Sequence, residues 1–147
     1  MEISLWFERK NRFLSSEVQD TLSKAFCHVS FLTEDERWSR TWPAIIDTGA
    51  HTTVIPEFIW RDLSYEPLSE SLFLGVKSNL LCSIPCKVAK IYAKILDQQN
   101  QTKPLLMHAY LAKSNDVPLL LGISTALENF TLNLNYKKQT GYLKIDE

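Results

Sequence analysis

The sequence predicts a mainly β fold, and three observations predict it. Ala89, Ile91, Ala93 and Ile95 alternate with Lys90, Tyr92 and Lys94, the period of a strand with one buried face. Residues 71–76, 80–83, 88–96 and 105–113 are rich in β-branched or large apolar side chains and are separated by Lys-Ser-Asn, Asp-Gln-Gln-Asn and Ser-Asn-Asp turns. At the N-terminus, Ile3, Leu5 and Phe7 alternate with Glu2, Ser4, Trp6 and Glu8, which is again the strand period.

Taken in order, residues 2–8 are predicted as the first strand. Leu14, Val18, Leu22 and Phe26 follow at helical spacing, and Ser16-Glu-Val-Gln19 matches a capping box, so a helix is predicted there. Residues 28–32 are extended, 33–37 form a polar turn, and Trp42-Pro-Ala-Ile-Ile46 is a buried strand that runs into Asp47. Pro56 sits where a first helical residue would, since its fixed φ suits that position, and a short helix is expected over 56–63. Leu119-Leu-Leu-Gly122 is a short apolar run, residues 124–130 a helix of one or two turns, and 131–136 with 142–145 a closing pair of strands around Lys-Lys-Gln-Thr-Gly.

The 147 residues suit one domain, and no linker, repeat or low-complexity tract divides residues 1–147. With 45% apolar and 22% charged residues the chain can build a packed core. A formal net charge of −1, with no basic run longer than Lys137-Lys138, argues against nucleic acid as a partner. No stretch reaches the roughly 20 apolar residues that span a bilayer, and the first eight residues are too short and acidic for a signal peptide, so no membrane partner and a cytoplasmic location are expected. Cys27, Cys82 and Cys86 are odd in number, and Cys82/Cys86 has no second pair at zinc spacing. They are expected as small buried thiols. His28, His51 and His108 lack paired ligand spacing, so neither a metal nor any other cofactor is expected. Trp6, Trp38, Trp42 and Trp60 are expected in the core or at a subunit contact.

Chemistry concentrates in Ala44-Ile-Ile-Asp-Thr-Gly-Ala-His-Thr-Thr-Val-Ile-Pro56. A carboxylate ends an apolar strand and is followed at once by Thr48 and Gly49. The glycine allows close backbone approach, and the hydroxyl can hold neighbouring main chain. The pattern of two apolar residues, Asp47-Thr48-Gly49-Ala50, then Thr53-Val54-Ile55, resembles the active-site loop of the retroviral-type, or retropepsin-like, aspartic proteases. Downstream, Leu120-Leu121-Gly122 resembles the apolar-apolar-Gly segment that crosses behind that loop in the same family. The resemblance runs from about Trp42 onward and leaves residues 8–40 as a possible insertion.

The resemblance implies a closed β-barrel with short helices, one lobe per chain, active as a two-fold dimer. Asp47 then matches the catalytic aspartate, Thr48 a threonine that hydrogen-bonds across the dimer, and Gly49 and Ala50 loop residues beside the substrate backbone. The chemistry needs two carboxylates sharing a proton, and the chain holds one Asp-Thr-Gly, so the expected partner is a second copy of the chain and the expected substrate an extended peptide. A flap is expected between residues 71 and 88, with Gly75 and the turn Lys77-Ser78-Asn79 at its tip. The sequence departs from the viral enzymes in three places. The flap lacks a glycine-rich tip, His51 replaces an acidic residue, and Ile123-Ser124 replaces the Arg-Asp pair that braces the viral dimer. A catalytically silent module of the same fold, kept for dimerisation or peptide binding, is the alternative. A serine or cysteine hydrolase has no nucleophile elbow to support it.

Overall fold

A computed structural model describes residues 1–74 and 83–145. The fold is mainly β, as the alternation predicts. Glu2–Ser4 (β1), Trp6–Phe13 (β2), Gln19–Phe31 (β3), Trp42–Ile46 (β4) and Thr53–Ile55 (β5) precede a single α-helical turn, Glu57–Trp60 (α1). Tyr65–Leu74 (β6), Ser83–Leu96 (β7), Leu105–Ala112 (β8), Leu120–Leu121 (β9), Phe130–Asn135 (β10) and Thr140–Ile145 (β11) follow, with a 3-10 turn at Leu127–Asn129.

Eight strands pair in the order β2-β3-β4-β9-β5-β8-β7-β6, and β3 also pairs with β7. Tracing neighbours from β3 through β4, β9, β5, β8 and β7 therefore returns to β3. The return is possible because β3 is long enough to change partners along one edge. Phe7 to Phe13 of β2 lie opposite its first half, and Leu96 to Ala93 of β7 lie opposite His28 to Phe31. His28 and Val29 are matched with β4 on the other edge. A second sheet, β1-β11-β10, lies beside this circuit.

The side chains that point into the circuit form the core. Val29, Phe31, Ile55, Ile91, Ile95, Met107, Leu111 and Leu121 are fully buried, and Ile3 and Leu143 of the second sheet join the same cluster. Ala89, Ile91, Ala93 and Ile95 all face inward while Tyr92 is exposed, as the alternation requires. Burying each of the larger side chains stabilises the fold by about 2 kcal/mol. Cys27 and Cys86 are buried, and burial pushes the Cys27 thiol far up, so it stays protonated. Cys82 lies outside the described residues. Trp60 is buried and its indole N–H donates to the Ala112 carbonyl at 2.7 Å, which ties α1 to β8.

Several expectations are corrected. The predicted helix over residues 14–26 is instead a hairpin: β2 and β3 pair from Trp6↔Phe26 to Phe13↔Gln19. Its turn is held by Ser15, whose hydroxyl accepts from the Val18 N–H, and by the Leu14 N–H on the Val18 carbonyl. Ser16 caps nothing. The first strand divides at Leu5, whose N–H donates to the Gly141 carbonyl, because β1 serves one sheet and β2 the other. Pro56 occupies the cap of α1 in an extended conformation rather than its first helical position. Residues 65–70 extend β6 further back than the sequence suggests. They form a sheet edge with a register shift between Pro67 and Ser69, where a proline costs no ladder bond. The helix expected over 124–130 shrinks to the 3-10 turn, with Thr125 at φ 60°.

Asp97, just past β7, fastens the two sheets. Its carboxylate accepts from the Ser4 N–H of β1 and from the N–H groups of Gln99 and Asn100, each at 2.7 Å. Partial desolvation pushes its pKa up, but these three donors outweigh it and hold the carboxyl below its usual range. A depressed carboxyl contributes stability above its unfolded-state pKa and loses it as pH falls through the folded value. Asp97→Ala is accordingly expected to cost about 1 kcal/mol at neutral pH, the low end for bonds to a charged acceptor near solvent. The gap between native and variant melting temperatures should close as the pH is lowered through the acid range. A gap that stays constant from neutral to acid pH would show that the charge is not what fastens β1.

Candidate active site

Asp47 is the first residue beyond β4, and its position follows from the strand before it. Ala44 and Ile46 are buried in the core, so the strand cannot rotate or slip without exposing them. The parallel ladder to β9, Ile45↔Leu120 and Ile46↔Leu121, is continued by the Asp47 N–H, which donates to the Leu121 carbonyl at 3.0 Å. The backbone of Asp47 is thus held as firmly as the strand itself. Its side chain is half-exposed.

A tight turn follows. The Gly49 N–H donates to Asp47 Oδ1 at 2.9 Å and the Ala50 N–H to the Asp47 carbonyl at 3.2 Å. Gly49 has no left-handed backbone, so the turn does not depend on its conformational freedom. Its contribution is space, because a Cβ there would stand 3.3 Å from Asp47 Oδ1. Among the described residues no hydrogen bond occupies Asp47 Oδ2, and none is made by the hydroxyl of exposed Thr48. The carboxylate is fixed by one oxygen and open at the other.

β9 stands between β4 and β5, parallel to the first and antiparallel to the second through Val54↔Leu120. The chain from Asp47 to Thr53 must therefore pass around the end of β9, and Gly122 is where it passes. A Cβ on Gly122 would lie 2.6 to 2.8 Å from backbone atoms of Thr52, closer than any side chain tolerates. The Gly122 N–H is buried and donates to Thr53 Oγ1 at 3.1 Å. Beyond it, the Ile123 N–H donates to the Ala50 carbonyl at 3.0 Å and the Ser124 N–H to the His51 carbonyl at 2.8 Å. Four hydrogen bonds, from Asp47, Gly122, Ile123 and Ser124, clamp the loop to the segment behind it.

The structure so brings together Asp47, Gly49 and Ala50 with Leu120, Leu121 and Gly122, the two pieces singled out in the sequence 70 residues apart or more. Thr53 belongs to the motif read in the sequence, but its role, to accept from the Gly122 N–H, is one the sequence reading did not assign. Its signal is a threonine at the first, fully buried position of a strand, where a hydroxyl needs a partner. His51 Nδ1 lies 3.1 Å from Thr52 Oγ1, an exposed local contact. The flap candidates Gly75, Lys77, Ser78 and Asn79 lie outside the described residues, although the β6–β7 hairpin leads to them. A cavity of about 480 Å³ lined by Met1, Thr102, Lys103, Leu105, Phe130 and Ile145 is built from other parts of the chain and includes none of the loop. Among the described residues no three His, Cys, Asp or Glu side chains gather as metal ligands do.

No family model matches the chain, and no curated protein matches it. Among solved structures, a retropepsin-like aspartic protease from Rickettsia conorii is similar at 14% identity, over 95% of this chain and 92% of that one, with a TM-score of 0.47. A likeness of that degree carries no argument about mechanism.

The clamp yields two expectations. Gly122→Ala is expected to destabilise the protein by about 2 kcal/mol or more, since the methyl group meets backbone and not a flexible side chain. Thr53→Val keeps the shape but strands a buried N–H, at a cost of about 1–3 kcal/mol. Chemical denaturation of both variants checks this, and a Gly122→Ala protein as stable as the native chain would mean that the loop does not pass so close to β9.

Proposed function

We propose that the chain is a homodimeric aspartic endopeptidase, hydrolysing peptide bonds in extended polypeptide segments with water activated between two Asp47 carboxylates, one from each copy. The observation that carries this reading is the setting of Asp47: a carboxylate at the end of a buried strand, its backbone clamped to β9 and Oδ1 held by Gly49, with Oδ2 open. A surface aspartate in an ordinary turn needs no such clamp. Preorganisation of this kind is what a reacting carboxylate requires, because a group that must reorient during reaction raises the barrier.

One carboxylate cannot both take a proton from water and give one to the peptide carbonyl. Two placed close together cannot both ionise, so they hold a single proton between them. The ionised member accepts a proton from water as the oxygen attacks the carbonyl carbon, and the protonated member donates to the carbonyl oxygen. The first carboxyl then gives the proton it took from water to the amide nitrogen while the second accepts a hydroxyl proton from the tetrahedral diol, so the C–N bond breaks to an amine and a carboxylic acid and the pair again holds one proton. The two-fold axis then passes between the two Asp47 side chains, where Thr48, exposed and without a hydroxyl partner among the described residues, bonds to the other copy. The β6–β7 hairpin serves as the flap that closes over an extended peptide. Activity of such a pair belongs on the acidic side of neutrality, where the shared proton is retained.

A second reading, a module that dimerises or binds peptides without cleaving them, is favoured by Ile123 and Ser124. Their N–H groups hold the loop, but their side chains supply no charged brace between subunits. Cleavage of a mixed, unstructured peptide library from acidic to neutral pH separates the two. The native chain is expected to cut, most strongly at acidic pH, and Asp47→Ala at matched dimer concentration to lose at least a thousandfold. A native chain that dimerises and binds peptides without cutting any would establish the module instead.

A further inference from the structure

The β2–β3 hairpin is longer than the rest of the fold requires. β3 meets β4 only from Phe26 onward, where Phe26 lies opposite Ile45. Continuing that register brings Lys24 level with Asp47. β3 and β2 nonetheless run on together to the Phe13↔Gln19 pair and a turn over residues 14–18. At roughly 3.3 Å per residue, the six residues from Lys24 to Val18 carry the hairpin about 20 Å past Asp47, in the direction in which β4 points. Among the described residues nothing pairs with the edge of β3 that β4 leaves open over residues 19–25.

The base of this arm is fastened. Arg9 donates to the carbonyls of Tyr136 and Lys137 at 2.7 and 2.9 Å, and Phe7 meets the Tyr136 ring edge-on. Its tip carries large apolar side chains in water: Phe13 is 75% exposed, Leu14 57% and Val18 49%. An anchored arm with an apolar tip and an open strand edge is a template for contact with another chain.

We infer that the arm is a dimer clasp: the hairpin of each protomer reaches past the two-fold axis and packs its tip and open edge on the second copy. The inference rests on the proposed function, which sets the axis beside Asp47 and makes each site incomplete without its partner. A second copy must then occupy the space beyond the end of β4, and the arm projects into that space. Charge agrees. From Glu8 to Lys24 the hairpin holds four basic residues, Arg9, Lys10, Arg12 and Lys24, against Glu8, Glu17 and Asp20, a near balance that suits a copy of itself better than a strongly charged partner. The clasp also supplies subunit contact in a chain that lacks the charged brace at residues 123 and 124.

The test compares the native chain with two variants by analytical ultracentrifugation over a range of concentrations. One replaces residues 10–22 by Asn-Gly, joining Arg9 to Ser23, which face each other in register. The other is Phe13→Ser with Leu14→Ser, which changes only exposed side chains and leaves the fold intact by circular dichroism. The native chain is expected to dimerise, and both variants to dissociate with a Kd at least tenfold higher. In hydrogen exchange of the native chain, amides over 19–24 are expected to gain protection as concentration rises. Variants that dimerise as tightly as the native chain would overturn the clasp while leaving Asp47-dependent cleavage, measured in parallel, to stand. A rise in KM with unchanged dimerisation would overturn it by assigning the arm to substrate. A native chain that remains monomeric would overturn the clasp and the dimeric enzyme together, whereas arm-dependent dimers without cleavage would support the clasp and overturn the enzyme.

Discussion

The structure depends on a strand of two residues. Leu120–Leu121 separates β4 from β5, and everything distinctive about the Asp47 loop follows from that insertion. Because the intervening strand fills the lane between them, the chain cannot return from β4 to β5 by a plain hairpin. It must swing around the end of β9, which is why the backbone at Thr52 comes so near Gly122 and why a residue without a side chain stands there. The same detour leaves polar backbone groups on both sides of the crossing, and the bonds from Asp47, Gly122, Ile123 and Ser124 satisfy them. A rigid carboxylate at the rim is the result of solving a backbone pairing problem in the interior.

The circuit of strands supplies what so short a strand cannot. A two-residue ladder is too small to hold itself, but β4 is backed by β3 and β5 by β8, each over more residues. β3 is the member with two tasks. Its second half lies between β4 and β7 and presents Val29 and Phe31 to the core, while its first half leaves the core with β2 as companion. One continuous strand thus connects the most buried part of the molecule to its most exposed apolar surface, and the position of the arm relative to Asp47 is set by strand register and not by a flexible loop.

Asp47 and Asp97 show how differently two aspartates that follow strands are used. Asp97 spends both oxygens on backbone N–H groups and joins β1 to the end of β7, a structural task in which an open lone pair would be wasted. Asp47 spends one oxygen on Gly49 and keeps the other accessible. Residue type and strand-end position are the same in both. The distinction lies in how many donors the fold delivers to each carboxylate.

Much of this was written in the sequence. The alternation from Ala89 to Ile95 established β7 because a strand with one buried face leaves a period of two in any single stretch. Trp42 to Ile46 and the residues that follow marked both the last buried strand before the carboxylate and the tight turn of the candidate site, since the turn chemistry of Asp and Gly is local. What only the tertiary structure decided is whatever depends on a partner strand. Leu14, Val18, Leu22 and Phe26 recur every fourth residue, and that spacing lies on one face of a helix and equally on one face of a strand, so the sequence predicts a helix where the pairing of β2 with β3 makes an arm. The alternation of Ala25, Cys27, Val29 and Phe31, on the opposite face, was the signal that separated the two. The partner that Thr53 finds and the crowding at Gly122 could not be read locally, because both arise where segments about 70 residues apart pass within touching distance. Distances between remote backbones are set by the whole circuit of pairings, and no window of sequence contains them.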